Sequence, residues 1–148
     1  MAQVITLARN VAFFINTGTD AVPVWTEIKG LVQHSWNMTK NDADITTYDS
    51  DGWNEHVVAS RAKGVTLTGK QKEDVATATR DPGQLACETT AEEVGYNAMK
   101  KFKMSFESGR NLIGVGSIQV TPSGGGNDDP NAWEAVINFS GKPVLAAA

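Results

Sequence analysis

The sequence predicts a mostly β protein: an antiparallel β-sandwich or barrel with one flanking α-helix and long loops, forming a single domain over residues 1–148. Three observations carry that expectation. Apolar and polar residues alternate with period two in several short stretches, and clusters of Gly, Asn, Asp and Pro separate those stretches. Only RDPGQLACETTAEEVG carries the start and stop signals of a helix. At 148 residues the chain suits one domain, which buries roughly two-thirds of its unfolded surface, and no linker divides it.

The elements follow in chain order. VWTEIKGLV, Val24 to Val32, reads as a strand. Residues 36–56 are polar and read as a long loop, ending in TTYDSDGWNE. In HVVASRAKGVTLTG, Val57, Ala59, Val65 and Leu67 share one face of a strand that Arg61 and Lys63 interrupt. The helix is expected from about Asp81 to Val94, with Asp81 as N-cap, Pro82 at the first helical position, Gln84 completing a capping box and Gly95 as the stop. Cys87, Ala91 and Val94 line up along it, whereas Leu85 points nearly the opposite way. In KKFKMSFE, Phe102, Met104 and Phe106 face inward, with Lys101, Lys103 and Ser105 toward water. NLIGVGSIQVT changes phase between Ile113/Val115 and Ile118/Val120, which a bulge near Gly116 reconciles. PSGGGNDDPN, residues 122–131, is a flexible Gly-rich loop. AWEAVINF is a strand with Trp133, Ala135, Ile137 and Phe139 on its buried face.

Charge and cysteine content narrow the function. Thirteen basic against seventeen acidic residues give a net charge of −4, so the chain as a whole does not attract phosphates and sequence-specific nucleic-acid binding is disfavoured. The lone cysteine, Cys87, forms no internal disulfide and reads as a small buried hydrophobe. The one apolar run near the start, Val11 to Ile15, is too short for a secretory leader or a membrane span, which places the chain in the cytoplasm of the cell that makes it and gives it no membrane partner.

Catalytic and ligand motifs fail on chemistry. Placing Gly52 at position six of a calcium loop puts Thr47, Asp49 and Asp51 at the first ligand positions. Val58 then stands where the bidentate glutamate belongs. Gly64, Gly69 and Lys70 match the spacing of a phosphate-binding loop. Gln71 follows instead of Ser or Thr, and the intervening VTLT alternates like a strand. His34 and His56 lack metal-ligand spacing. No catalytic residue, metal or cofactor is therefore expected. The acidic stretch reads instead as a contact surface, with Trp53 as an aromatic anchor.

The ordered features TTYDSDGWNEHVVASRAKGVTLTG, a DPGQ-initiated helix, KFKMSFESG, GVGSIQVT, a Gly/Asp-rich loop and a last strand ending in SGKPV resemble the major tail tube protein of long-tailed (siphovirus-type) bacteriophages, over Val24 to Val144. The resemblance implies a structural, non-enzymatic subunit that assembles into six-membered rings. The rings stack into the hollow virion tail through which DNA passes during ejection. Tape measure, tail terminator and distal tail proteins are the implied partners, and the host bacterial cytoplasm the implied place of synthesis. It also implies that a long loop between early strands reaches the next ring. By position this assigns inter-subunit contact to Asp42, Asp44, Asp49, Asp51, Gly52, Trp53 and Glu55, with Arg61, Lys63, Lys101 or Lys103 as basic partners on a neighbour. A β-sandwich binding module (an adhesin or a virion decoration protein) and a tube protein of a secretion or contractile system are the alternatives.

Overall fold

The computed structural model describes residues 3–146. Its strands are β1 (Ala12–Asn16), β2 (Trp25–Glu27), β3 (Leu31–Asp44), β4 (His56–Lys70), the short pair β5 (Glu73–Asp74) and β6 (Thr79–Arg80), β7 (Lys100–Ser105), β8 (Asn111–Thr121) and β9 (Ala132–Ala146). One α-helix, α1 (Pro82–Ala91), stands between β6 and β7. Seven strands form one antiparallel sheet in the order β2-β1-β7-β8-β9-β4-β3. The mostly β expectation is met, and the barrel alternative is resolved: among the described residues no ladder joins the edge strands β2 and β3, so the sheet stays open.

The sheet curls far enough to make its own second layer. Trp36 on β3 donates from Nε1 to the Met104 sulfur on β7 at 2.9 Å, although three strands lie between them in the sheet. The Trp36 ring also stacks on Phe139 of β9, with centroids 5.6 Å apart and planes 8° from parallel. His34 on β3 meets Phe13 on β1 edge-on at 5.3 Å. Inside the curl lie Phe13, Ile15, Val65, Leu67, Phe102, Met104, Ile118, Trp133, Ala135 and Ile137. Those residues are the inward parity of their strands. The period-two readings of KKFKMSFE and AWEAVINF therefore correspond to real buried faces. Val11 to Ile15, discounted above as a leader, largely becomes β1, whose Phe13 and Ile15 are core.

The helix closes one side of the curl. Asp81 is its N-cap, its carboxylate accepting from the Gln84 amide at 3.2 Å, with Pro82 at the first turn. The helix ends at Ala91, three residues before the expected Val94, and Gly95 opens a separate 3₁₀ turn (Gly95–Ala98). Cys87 is buried in the core, and burial pushes its thiol pKa up, as expected of an inert small hydrophobe. Leu85, on the other face, is exposed. Gln84 does not complete a capping box. Its amide nitrogen donates to the carbonyls of Lys29 and Lys70, both at 2.8 Å, and its oxygen accepts from the Lys72 amide at 3.0 Å. One buried side chain thereby satisfies three backbone groups at strand ends. Gly83 beside it permits the close approach, since a Cβ there would overlap the Glu27 carbonyl. Arg80 adds a half-buried ion pair to Glu88 at 2.9 Å.

Three further expectations are corrected. Val24 to Val32 is not one strand: Gly30, at φ +82°, turns the chain between β2 and β3. The irregularity near Gly116 lies in the pairing instead. Ile113 faces Val144 and Val115 faces Ser140, so three residues of β9, Gly141 to Pro143, stand against the single Gly114 of β8. β8 keeps its parity, with Gly114, Gly116 and Ile118 facing in and Val115 out. Residues 36–56 are not a loop throughout, because 36–44 belong to β3. The 122–131 segment is a loop whose ends are tied together. The Asn131 carboxamide oxygen accepts from Ser123 Oγ and the Gly124 amide, while its nitrogen donates to Gln71.

Candidate functional site

Between the Asn37/Gly64 and Asp44/His56 pairs, β3 and β4 pair only with each other among the described residues, because the β4–β9 ladder begins at Gly64. The result is a two-stranded arm that projects roughly 25 Å beyond the curled sheet, at a rise of about 3.3 Å per residue. A bulge at Ala59, where Asn41/Ser60 steps to Asp42/Val58, interrupts the face that Val57 and Ala59 were expected to share with Val65 and Leu67. A two-stranded hairpin with both faces in water is marginally stable by itself. This one nevertheless leaves Met38, Ile45, Tyr48, Trp53, Val57 and Val58 exposed.

The tip is shaped by its own hydrogen bonds. Thr46 is the hub: its amide donates to Asp44 Oδ1 at 2.9 Å, its hydroxyl donates to the Glu55 carbonyl at 3.2 Å, and that hydroxyl accepts from the Glu55 amide at 2.8 Å. A short 3₁₀ turn, Tyr48–Ser50, follows, with Thr47 and Ser50 capping each other. Ser50 then donates from Oγ to Glu55 Oε2 at 2.9 Å. Asp51 (φ 54°) and Gly52 (φ 83°) both lie in the left-handed region and swing Trp53 outward, where it is 76% exposed.

The structure thus sorts the seven sequence-predicted residues. Asp44 and Glu55 are committed to internal bonds. The hydroxyl and then the amide of Thr46 hold the Asp44 carboxyl below the usual carboxylate range, with a smaller contribution from His56. Asp42 sits on β3 with Oδ2 3.7 Å from His56 Nε2, an ion pair only when that imidazole is protonated. Asp49 and Asp51 carry exposed carboxylates with no hydrogen bond among the described residues, and Gly52 and Trp53 complete the outer turn. The organising residues Thr46, Thr47 and Ser50 were missed from the sequence. The T-x-x-S spacing of Thr47 and Ser50 was the available signal.

At the root of the arm the charge reverses. Lys40 stands directly across from Arg61 and Met38 across from Lys63. Lys103, one of the four basic residues considered as partners, lies over aromatic rings of its own chain, with Nζ 4.6 Å from the Phe14 ring centroid and 5.0 Å from that of Trp25. Among the described residues no group of three or more His, Cys, Asp or Glu side chains is placed to hold a metal ion, and no helix is long and apolar enough to cross a membrane.

No protein-family model matches the chain, and no curated protein matches it in sequence. Solved structures do match, and three of them do so across 97% of this chain. The tail of an empty gene transfer agent particle with C6 symmetry aligns at a TM-score of 0.68 and 14% identity over 99% of that chain. The virion of a native gene transfer agent particle aligns at 0.66 and 14% over 100% of that chain. The tail tube of SPP1, a hybrid of solid-state NMR and cryo-EM, aligns at 0.69 and 13% over 80% of that chain. At such identities the likeness is one of fold, and it extends over 97% of this chain.

Proposed function

We propose, with that shared fold as premise, that the chain is a structural subunit of a bacteriophage tail. Six copies would close a ring, and rings would stack into a hollow tube that conducts DNA during ejection. The observation that carries the proposal is the arm. A fold that leaves Trp53, Tyr48, Met38, Val57 and Val58 uncovered on a two-stranded projection has its missing layer elsewhere, and identical copies supply it at no extra coding. The edges of β2 and β3, unpaired among the described residues, support the same reading, because such edges invite strand addition unless a neighbour finishes them.

The mechanism is passive. A conduit must not grip phosphates at many points, and a net charge of −4 is compatible with a wall that leaves DNA mobile. Tape measure, terminator and distal tail proteins would cap and fill such a tube, and the working location is the virion tail. The test is negative-stain electron microscopy of the purified chain at increasing concentration, without added ligand. Rings or long hollow tubes are the expected result; monomers persisting at high concentration contradict it. The exposed indole of Trp53 also favours a second reading, a carbohydrate-binding module. Specific glycan-array binding that Trp53→Ala abolishes would establish that reading in place of the first.

A further inference from the structure

We propose that the root of the arm is a binding site for one phosphate group, a property that goes beyond the structural role and does not depend on assembly. The site forms where the sheet forks. β4 parts from β9 at the Gly64/Asn138 pair, while β9 continues along β8. Just past the fork, Gly141, at φ +79°, opens the bulge that carries Lys142. The fork encloses a cleft of about 240 Å³ lined by Met38, Arg61, Ala62, Lys63, Gly141 and Lys142. That is smaller than the roughly 300–1,000 Å³ of pockets for drug-sized molecules and suits a small ion.

The charge of the cleft selects the ion. Arg61 and Lys63 alternate onto one face of β4, and Lys142 lines the cleft from β9. Lys40 stands directly across from Arg61 on β3. None of these four cations forms an ion pair among the described residues, whose side-chain pairs are His56–Asp42 and Arg80–Glu88. Like charges directly opposite each other destabilise a sheet, so a chain of net charge −4 carries here a knot of positive charge that an anion relieves. A phosphate, close to doubly charged at neutral pH, balances that knot better than one carboxylate does. The planar Arg61 guanidinium matches two phosphate oxygens, and the lysines act as point charges around them. Two sources offer this chemistry, the free ion and the backbone of a nucleic acid. A seated free ion would bring the root nearer to neutral and so keep it from gripping DNA, in keeping with a passive conduit.

Phosphate titration of dilute protein tests the site. Two-dimensional NMR follows the backbone amides as sodium phosphate is added, with sodium chloride at equal ionic strength as the control. Saturable shifts at the amides of Arg61, Lys63 and Lys142 are expected with phosphate and not with chloride. Arg61→Gln with Lys63→Gln, shown by circular dichroism to fold, should weaken binding about tenfold or more. Lys29→Gln, which removes an exposed cation elsewhere, should leave it unchanged. Phosphate should also raise the unfolding midpoint of the wild type, and not that of the double variant. Shifts that follow ionic strength alone, or that persist undiminished in the double variant, overturn the site. A short DNA duplex then separates the sources. Displacement of bound phosphate upholds the site with a nucleic-acid backbone as its ligand, and no displacement upholds it with the free ion. Poly-glutamate that binds the root more tightly than phosphate overturns the proposal in favour of an acidic protein partner.

Discussion

One strand, β4, has two halves with opposite fates. Its inner half places Val65 and Leu67 in the core, Leu67 fully buried, under the curl formed by β1, β7 and β9. Its outer half presents similar side chains, with Val57 51% exposed and Val58 much the same. Val57 and Val65 are the same residue type on one strand, and the covering layer differs. An apolar face along a strand states that something packs there, and leaves open whether the packing partner belongs to the same chain.

The largest effect that sharpens this contrast comes from truncating each half. Leu67→Ala should lower stability by about 2–5 kcal/mol, because a fully buried leucine leaves a cavity, whereas Val57→Ala should stay within about 0.5 kcal/mol in dilute protein. Thermal or urea unfolding of both variants checks it, and equal losses would break the distinction between the halves. Next is Gln84→Leu, which keeps the volume but strips three hydrogen bonds from the carbonyls of Lys29 and Lys70 and the amide of Lys72. With buried backbone groups left unpaired, a loss of about 2–4 kcal/mol is expected in the body, while amide exchange at the arm tip stays unchanged.

The smallest effect is confined to the tip. Because the folded pKa of Asp44 is depressed, its contribution to tip order is present above the ordinary value of 3.8 and is lost as pH falls through the lower folded value. The Thr46 amide proton shift should therefore titrate with a midpoint below 3.8. A midpoint at or above 3.8 would show that Thr46 does not hold the carboxylate.

The body was readable in the sequence because its own chain supplies both layers. The inward parities of β7 and β9, the N-cap at Asp81 and the burial of Cys87 all follow from pattern and cap chemistry. Failures cluster where the determining partner is remote in sequence or absent from the chain. Gln84 has the position of a capping-box residue, but two carbonyls at distant strand ends claim its amide nitrogen. Residues 37–44 show little alternation because both faces of β3 are bare there, so they read as loop although the ladder to β4 makes them strand. The acids of the tip were legible as a cluster. Their division into bonded (Asp44, Glu55) and free (Asp49, Asp51) depends on Thr46 and Ser50, whose hydroxyls carry no visible signal of their targets.

We propose that the arm is a surface completed by further copies of the chain. Residue-resolved amide hydrogen exchange of residues 37–63, in dilute protein and then in concentrated, assembled protein, tests it most directly. Fast exchange is expected along the arm in the dilute sample and strong protection on assembly, while the amides of Val65, Leu67 and Ile137 are protected in both. Arm amides that are already fully protected in the dilute monomer, or that gain no protection at any concentration, would contradict it.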